Sequence, residues 1–222
     1  PPPIKLKHSK RFQISFTLAE VLITLGIIGV VAAMTLPGLI QNYQKHVVET
    51  KLKRVYSVMN EAVRLAEVKH GDKKYWDTNL TPMEFYNKYY KGILKVTSVR
   101  DIPDDPNGGA ILISFADGSL LRMYTHGRDY FYFTNSAKYS KRGVKRDYGK
   151  DNFLFRLNPS TKSDKFHYNL GFEPYKLEWD GELSSLKNRC KQGNDGGVSQ
   201  AYCAAWIQYN GWKIPEDYPF KF

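Results

Sequence analysis

The stretch SFTLAEVLITLGIIGVVAAMTLPGLI, residues 15–40, decides how the rest of the chain is read. From Phe16 onward it holds 25 residues with one charge, Glu20, and one helix breaker, Pro37. A run this long and this apolar is a candidate membrane span. The mean hydropathy of the whole chain is nevertheless −0.50, so the remainder is distinctly polar. That remainder is also rich in aromatics, with most of the 16 Tyr, 12 Phe and 4 Trp, which supply large apolar bodies for a small core. The broad class is therefore one apolar segment followed by a water-soluble domain.

Upstream of the run lie Lys5, Lys7, Lys10 and Arg11, a basic flank of the kind that stays cytoplasmic. Three fates are open to the run itself. It is a secretory signal peptide cut near Val31-Ala32-Ala33, an uncleaved signal anchor, or a segment retained after a leader is cut away in front of it. Glu20 discriminates among them. A carboxylate near the start of a signal-peptide core gains nothing there, and charges inside membrane segments cost up to ~3 kcal/mol at the centre and usually have a partner. Cleavage between Ser15 and Phe16 creates one, the new α-amino group of Phe16 on a neighbouring copy. Glu20 then also lies in the first turns of a helix, where the macrodipole favours negative charge.

The string Ser15-Phe16-Thr17-Leu18-Ala19-Glu20-Val21-Leu22, with Ile27-Ile28-Gly29 and Leu36-Pro37 behind it, resembles the N-terminal segment of type IV pilins and type II secretion pseudopilins. In that family a prepilin peptidase cuts just before a Phe and the new N-terminus is methylated. A Glu stands at the fifth mature position and a Pro at the twenty-second. Counted from Phe16, Glu20 and Pro37 hold those places; Ser15 stands where the family usually has Gly. Gly29 and Ala33 form a small-xxx-small pair that lets helices approach closely. Pro37 removes the hydrogen bond to the Ala33 carbonyl and is expected to kink or loosen the helix, or to mark the end of the span.

Beyond Pro37 the apolar positions Ile40, Tyr43, Val47, Val48, Leu52, Val55, Tyr56, Met59, Ala62, Val63 and Ala66 recur at spacings of three and four, and His70-Gly71-Asp72 supplies a stop. Phe16 to His70 reads as one helix of about 80 Å at 1.5 Å per residue, apolar all round in its first half and amphipathic in its second. Thr81-Pro82-Met83-Glu84 is a capping box opening a short helix through Tyr90. Ile111–Phe115 and Ser119–Tyr124 read as strands joined by Asp117-Gly118, and Asp129–Thr134 and Phe153–Leu157 as further strands. The expected fold is α+β, a long N-terminal helix packed on a small antiparallel sheet, which is also the plan the resemblance implies. The expected organisation is a leader over 1–15, a transmembrane and filament-core helix over 16–40, its amphipathic continuation over 41–71, and an exported head over 72–222 with a C-terminal cysteine loop.

The cysteines are Cys190 and Cys203, with Gly193, Gly196 and Gly197 between them. In the cytosol they would be two free thiols; in a domain carried across a membrane a disulfide is expected. The family often closes its C-terminal region in this way.

The formal net charge is +11, which invites a nucleic-acid reading, but its distribution is uneven. There are four basic residues and no acid in 1–15, six against four in 16–70, and 23 against 18 in 71–222. The last excess is nearly all one loop, where Lys138, Lys141, Arg142, Lys145, Arg146 and Lys150 meet only Asp147. With Tyr139 and Tyr148 nearby, that loop could contact phosphates and stack bases; a solvated surface loop is the plainer reading.

No catalytic pattern appears. The five histidines are scattered, and there is no His-Glu-x-x-His pair, Gly-x-Ser-x-Gly elbow, P-loop or zinc-type cysteine spacing. The stretch from Asp101 through Asp104 and Asp105 to Gly109 carries oxygen ligands that could hold calcium, as some pseudopilins do, but it has turn composition and no EF-hand spacing. The chain is therefore read as a structural subunit rather than an enzyme, with no cofactor unless calcium. The resemblance implies other pilin subunits, the prepilin peptidase, an inner-membrane assembly platform and the lipid bilayer as partners. It also implies a single-pass inner-membrane precursor with a cytoplasmic N-terminus and an exported head. The alternative is a minor pilin of a competence apparatus that binds DNA through the basic loop.

Overall fold

Helix α1 runs from Leu18 to His70 in the computed structural model, which describes residues 17–105, 109–124, 128–139, 149–157, 171–177, 179–191 and 199–222. It continues through Pro37, whose missing N–H does not end it. The chain divides into two compact units, one ending at Asn42 and one running from Tyr43 to Phe222. In the first, the apolar side chains are uncovered: Leu22, Ile23, Leu25, Ile28 and Leu39 are each about 60 % or more exposed. Its two mid-run hydroxyls are satisfied within the helix, Thr24 donating to the Val21 carbonyl and Thr35 to that of Val31. Such self-sufficiency is what a helix needs where no water is present.

The second unit, the head, is built on the amphipathic half of α1. Val48, Leu52, Val55, Met59, Ala62, Val63 and Ala66 are all buried, the stripe expected from three–four spacing. They pack on a six-stranded antiparallel sheet, β1 Ser98–Ile102, β2 Ala110–Ser114, β3 Leu120–Tyr124, β4 Asp129–Phe133, β5 Asn152–Arg156 and β6 Glu173–Pro174, whose spatial order follows the chain. Strand alternation sets the layers. Ile111, Ile113, Leu121, Met123, Tyr130, Tyr132, Phe153 and Phe155 face the same core as α1. On the opposite face Leu112, Leu120 and Phe133 cluster with Ile102, while Leu154 packs with α3 (Leu183–Lys191) and α4 (Cys203–Tyr209). The sheet is buried on both sides, which explains why so many of its strand residues are large and apolar.

The local signals hold where they were strongest. At Asp117-Gly118 the glycine takes φ 76°, the left-handed conformation the hairpin needs, and the Asp117 carboxylate accepts from Ser119 N–H and Oγ. Lys51 of α1 holds this turn down, its ammonium donating to the Asp117 and Thr134 carbonyls at 2.9 and 2.7 Å. Thr81 and Glu84 form the reciprocal capping box with Pro82 at the first helical position of α2 (Pro82–Phe85), which continues as π-type turns to Tyr90.

Five tyrosines of the head, three of them in its core, predict an alkaline transition. Burial, helped by the Glu173 charge, pushes the Tyr56 hydroxyl up to about 12, and burial also raises Tyr90, Tyr130, Tyr132 and Tyr218. A raised phenol favours the folded state below its ordinary value near 10, and that stability is lost as pH climbs towards the folded value. A spectrophotometric titration should show these hydroxyls ionising together with loss of the head fold above about pH 10. Sixteen tyrosines titrating in one ordinary step, with the fold intact, would refute the burial assigned here.

Candidate functional site

The described part of α1 starts with a carboxylate already engaged. Glu20 Oε2 accepts from the N–H and Oγ1 of Thr17, each at 2.8 Å, and Thr17 Oγ1 accepts from Glu20 N–H at 3.3 Å. This is a capping box, Thr17-x-x-Glu20, satisfying orphan donors at the helix start. The sequence carries that signal at Thr17 and Glu20, beside the intersubunit role expected of the carboxylate. The two roles are compatible, because one carboxylate offers several lone-pair sites and Glu20 is exposed. Ser15 and Phe16, the expected cleavage and methylation positions, lie outside the described residues.

Further along, nothing stands within 4 Å of the position a Cβ would take at Gly26, Gly29 or Gly38. The small-residue side at Gly29 is therefore open. Length and composition make this helix able to cross a membrane, and the same test is passed by a signal sequence near an N-terminus.

In the head, Cys190 at the end of α3 and Cys203 at the start of α4 are joined in a disulfide and fully buried. Asp101 and Asp104, from the calcium-type stretch, are exposed, while Asp105 is paired with Arg122, itself packed over the rings of Tyr124 and Phe131. Pro106, Asn107 and Gly108 lie outside the described residues. Among the described residues no group of three or more His, Cys, Asp or Glu is placed to hold a metal.

Of the basic loop, Lys141, Arg142, Lys145 and Arg146 lie outside the described residues, and Lys138 and Lys150 bracket it. Both line a cleft of about 510 Å³ at the start of the head's helical segment, with Tyr43, Gln44, Lys51 and Asn135. Lys138 pairs with Asp151 at 3.4 Å, and Arg54 pairs with Asp117 at 2.8 Å on the neighbouring turn. A second, more apolar groove of about 550 Å³ runs along α1 between Val58, Leu65, Ile93 and Phe115. The sequence marks only the Lys138 and Lys150 charges of the first cleft, since each cleft is assembled from elements far apart in the chain.

Residues 38–222 match the model of a family described as Family of unknown function (DUF6613). No curated protein and no solved structure matches the chain.

Proposed function

The chain belongs to the DUF6613 family, whose model spans the whole head, and we propose that it serves as a pilin-like subunit, held in a membrane by residues 16–40 and assembled with other subunits through that helix. The observation that carries the reading is the uncovered apolar helix with a single carboxylate at its first turn. Such a surface is unstable in water and needs lipid or other helices around it. Lipid holds the subunit before assembly, and the matching helices of neighbouring copies replace it in a filament core. Glu20 meets the Phe16 amine of a neighbour and sets the axial register.

The orientation rests on the disulfide. Counted over fifteen residues on each side, the Lys/Arg flanks are even, with Lys5, Lys7, Lys10 and Arg11 before the run and Lys45, Lys51, Lys53 and Arg54 after it. A buried disulfide belongs in an oxidising compartment, which supports a head on the exported side.

The test is the mass of the N-terminal peptide recovered from the membranes of the native host. A peptide starting at methylated Phe16 is expected. A start near Met34, or an uncut leader, would make the chain secreted or simply anchored and end the filament reading. Glu20→Ala should then leave membrane insertion intact and reduce assembly; normal assembly of that variant would remove Glu20 from the register role.

A further inference from the structure

We infer that the cleft bracketed by Lys138 and Lys150 is a contact surface for acidic phospholipid headgroups, which seats the head against the bilayer before assembly. This rests on the membrane reading above and adds a second contact to it.

The first observation is covalent. Tyr43, which lines the cleft, follows Ile40 by three residues, so connectivity alone keeps it within about 11 Å of the end of the apolar run. Lys51 follows eight residues later on α1, about 12 Å along the helix. The cleft is thus tethered by the chain close to the end of the apolar run. Tyr43 is 70 % exposed, and an exposed tyrosine just past an apolar span is the residue type enriched at membrane interfaces.

The second observation is charge. The cleft presents Lys51, Lys138 and Lys150 against Asp117 and Asp151. Asp117 is answered by Arg54 from outside the cleft, and Asp151 by Lys138. Among the described residues, Lys150 makes no ion pair or hydrogen bond. Lys138 remains half-exposed despite its pair, so its ammonium is available to a stronger anion. Gln44 and Asn135 add neutral donors beside them. The arrangement suits a phosphodiester with one negative charge better than a multiply charged ligand, because the unopposed charge is small. Among the described residues the cations are few, which also favours lipid over nucleic acid. A duplex needs a line of cations along its backbone, whereas a membrane held nearby by the chain itself needs only a few weak contacts.

The experiment uses the full chain in lipid nanodiscs, either phosphatidylcholine alone or a mixture with phosphatidylglycerol. A water-soluble amine-acylating reagent is applied, and modification is read by peptide mass at Lys138 and Lys150. Lys88 is the reference, since its neighbour Tyr89 packs on His70 at the other end of α1. Modification of Lys138 and Lys150 should fall about fivefold in the phosphatidylglycerol discs and recover at high salt, with Lys88 unchanged. Equal modification in both discs, from a chain that has entered both, overturns this inference and leaves the membrane reading standing. Protection in phosphatidylcholine discs by an added DNA duplex, with none from phosphatidylglycerol, overturns it in favour of a nucleic-acid surface. A chain that enters neither disc overturns both readings.

Discussion

Glu173→Ala is expected to cost the head about 3–5 kcal/mol, because it breaks a buried ionic network from one side. Glu173 is 2 % exposed and Lys176 8 %. One carboxylate oxygen accepts from Tyr56 Oη at 2.9 Å; the other accepts from Gln208 Nε2 at 3.0 Å and Lys176 Nζ at 3.4 Å. Lys176 Nζ also donates to Gln208 Oε1 at 3.2 Å. The network ties α1, β6 and α4 together. Beside it, Asn60 of α1 exchanges hydrogen bonds with both the N–H and the carbonyl of Phe172. Removing the carboxylate takes the counter-charge from the desolvated Lys176 ammonium and a hydrogen-bond acceptor from the Tyr56 hydroxyl. Urea unfolding of the detergent-solubilised chain, read by fluorescence, reports this directly, since all four Trp lie in the head. Glu173→Leu combined with Lys176→Met should recover most of the loss, because an apolar pair of similar volume needs no partner. If Glu173→Ala unfolds within about 1 kcal/mol of the parent, the network is not the clamp described here.

The same residues show where sequence reading stops. Glu173 and Lys176 look like surface charges, and nothing local says that three distant elements close over them. Strand β6 is two residues long and contains Pro174, tolerable only because it lies at the sheet edge. Strand β1, Ser98-Val-Arg-Asp-Ile102, is the other edge, mostly exposed, and its polarity hid it. By contrast, β2 to β5 appeared at their positions to within one residue, because they are apolar and the Asp117-Gly118 turn has few alternatives. The α1 stripe and the Thr81 capping box were legible for the same reason: each is a local rule that packing reinforces. Helices α3 and α4 went unread although Leu183, Leu186 and Cys190 share helical spacing. They are short, and their stability comes from packing on β5 rather than from propensity. For the functional surfaces, the apolar run and the cysteine pair were visible as patterns. The Lys138–Lys150 cleft shows in the sequence only as a charge count, because Lys51 and Tyr43 join it only in the fold.

Loss of the Cys190–Cys203 bridge is expected to lower head stability by about 3 kcal/mol, from the closure entropy of a loop of this length. The packing around it argues that the effect falls on the native state as well. Gly149 takes φ 88°, and a Cβ there would lie 2.6 Å from Cys203 Sγ and 2.8 Å from the Phe220 ring. The backbone entering β5 therefore rests directly on the sulfur. Replacing both cysteines with Ala removes the cross-link and also leaves space beneath Gly149, with a cavity cost added to the entropic one. The two contributions separate experimentally. Reductant on the unchanged chain opens the bridge but keeps the sulfur volume, so its unfolding midpoint should fall between those of the parent and the Cys190→Ala/Cys203→Ala variant. A head made in a reducing cytosol should behave as the reduced form does, and reoxidation should restore it. If neither reduction nor replacement moves the midpoint, the bridge stabilises nothing, and the compartment argument built on it loses its physical basis: a head indifferent to its disulfide has no need of an oxidising side.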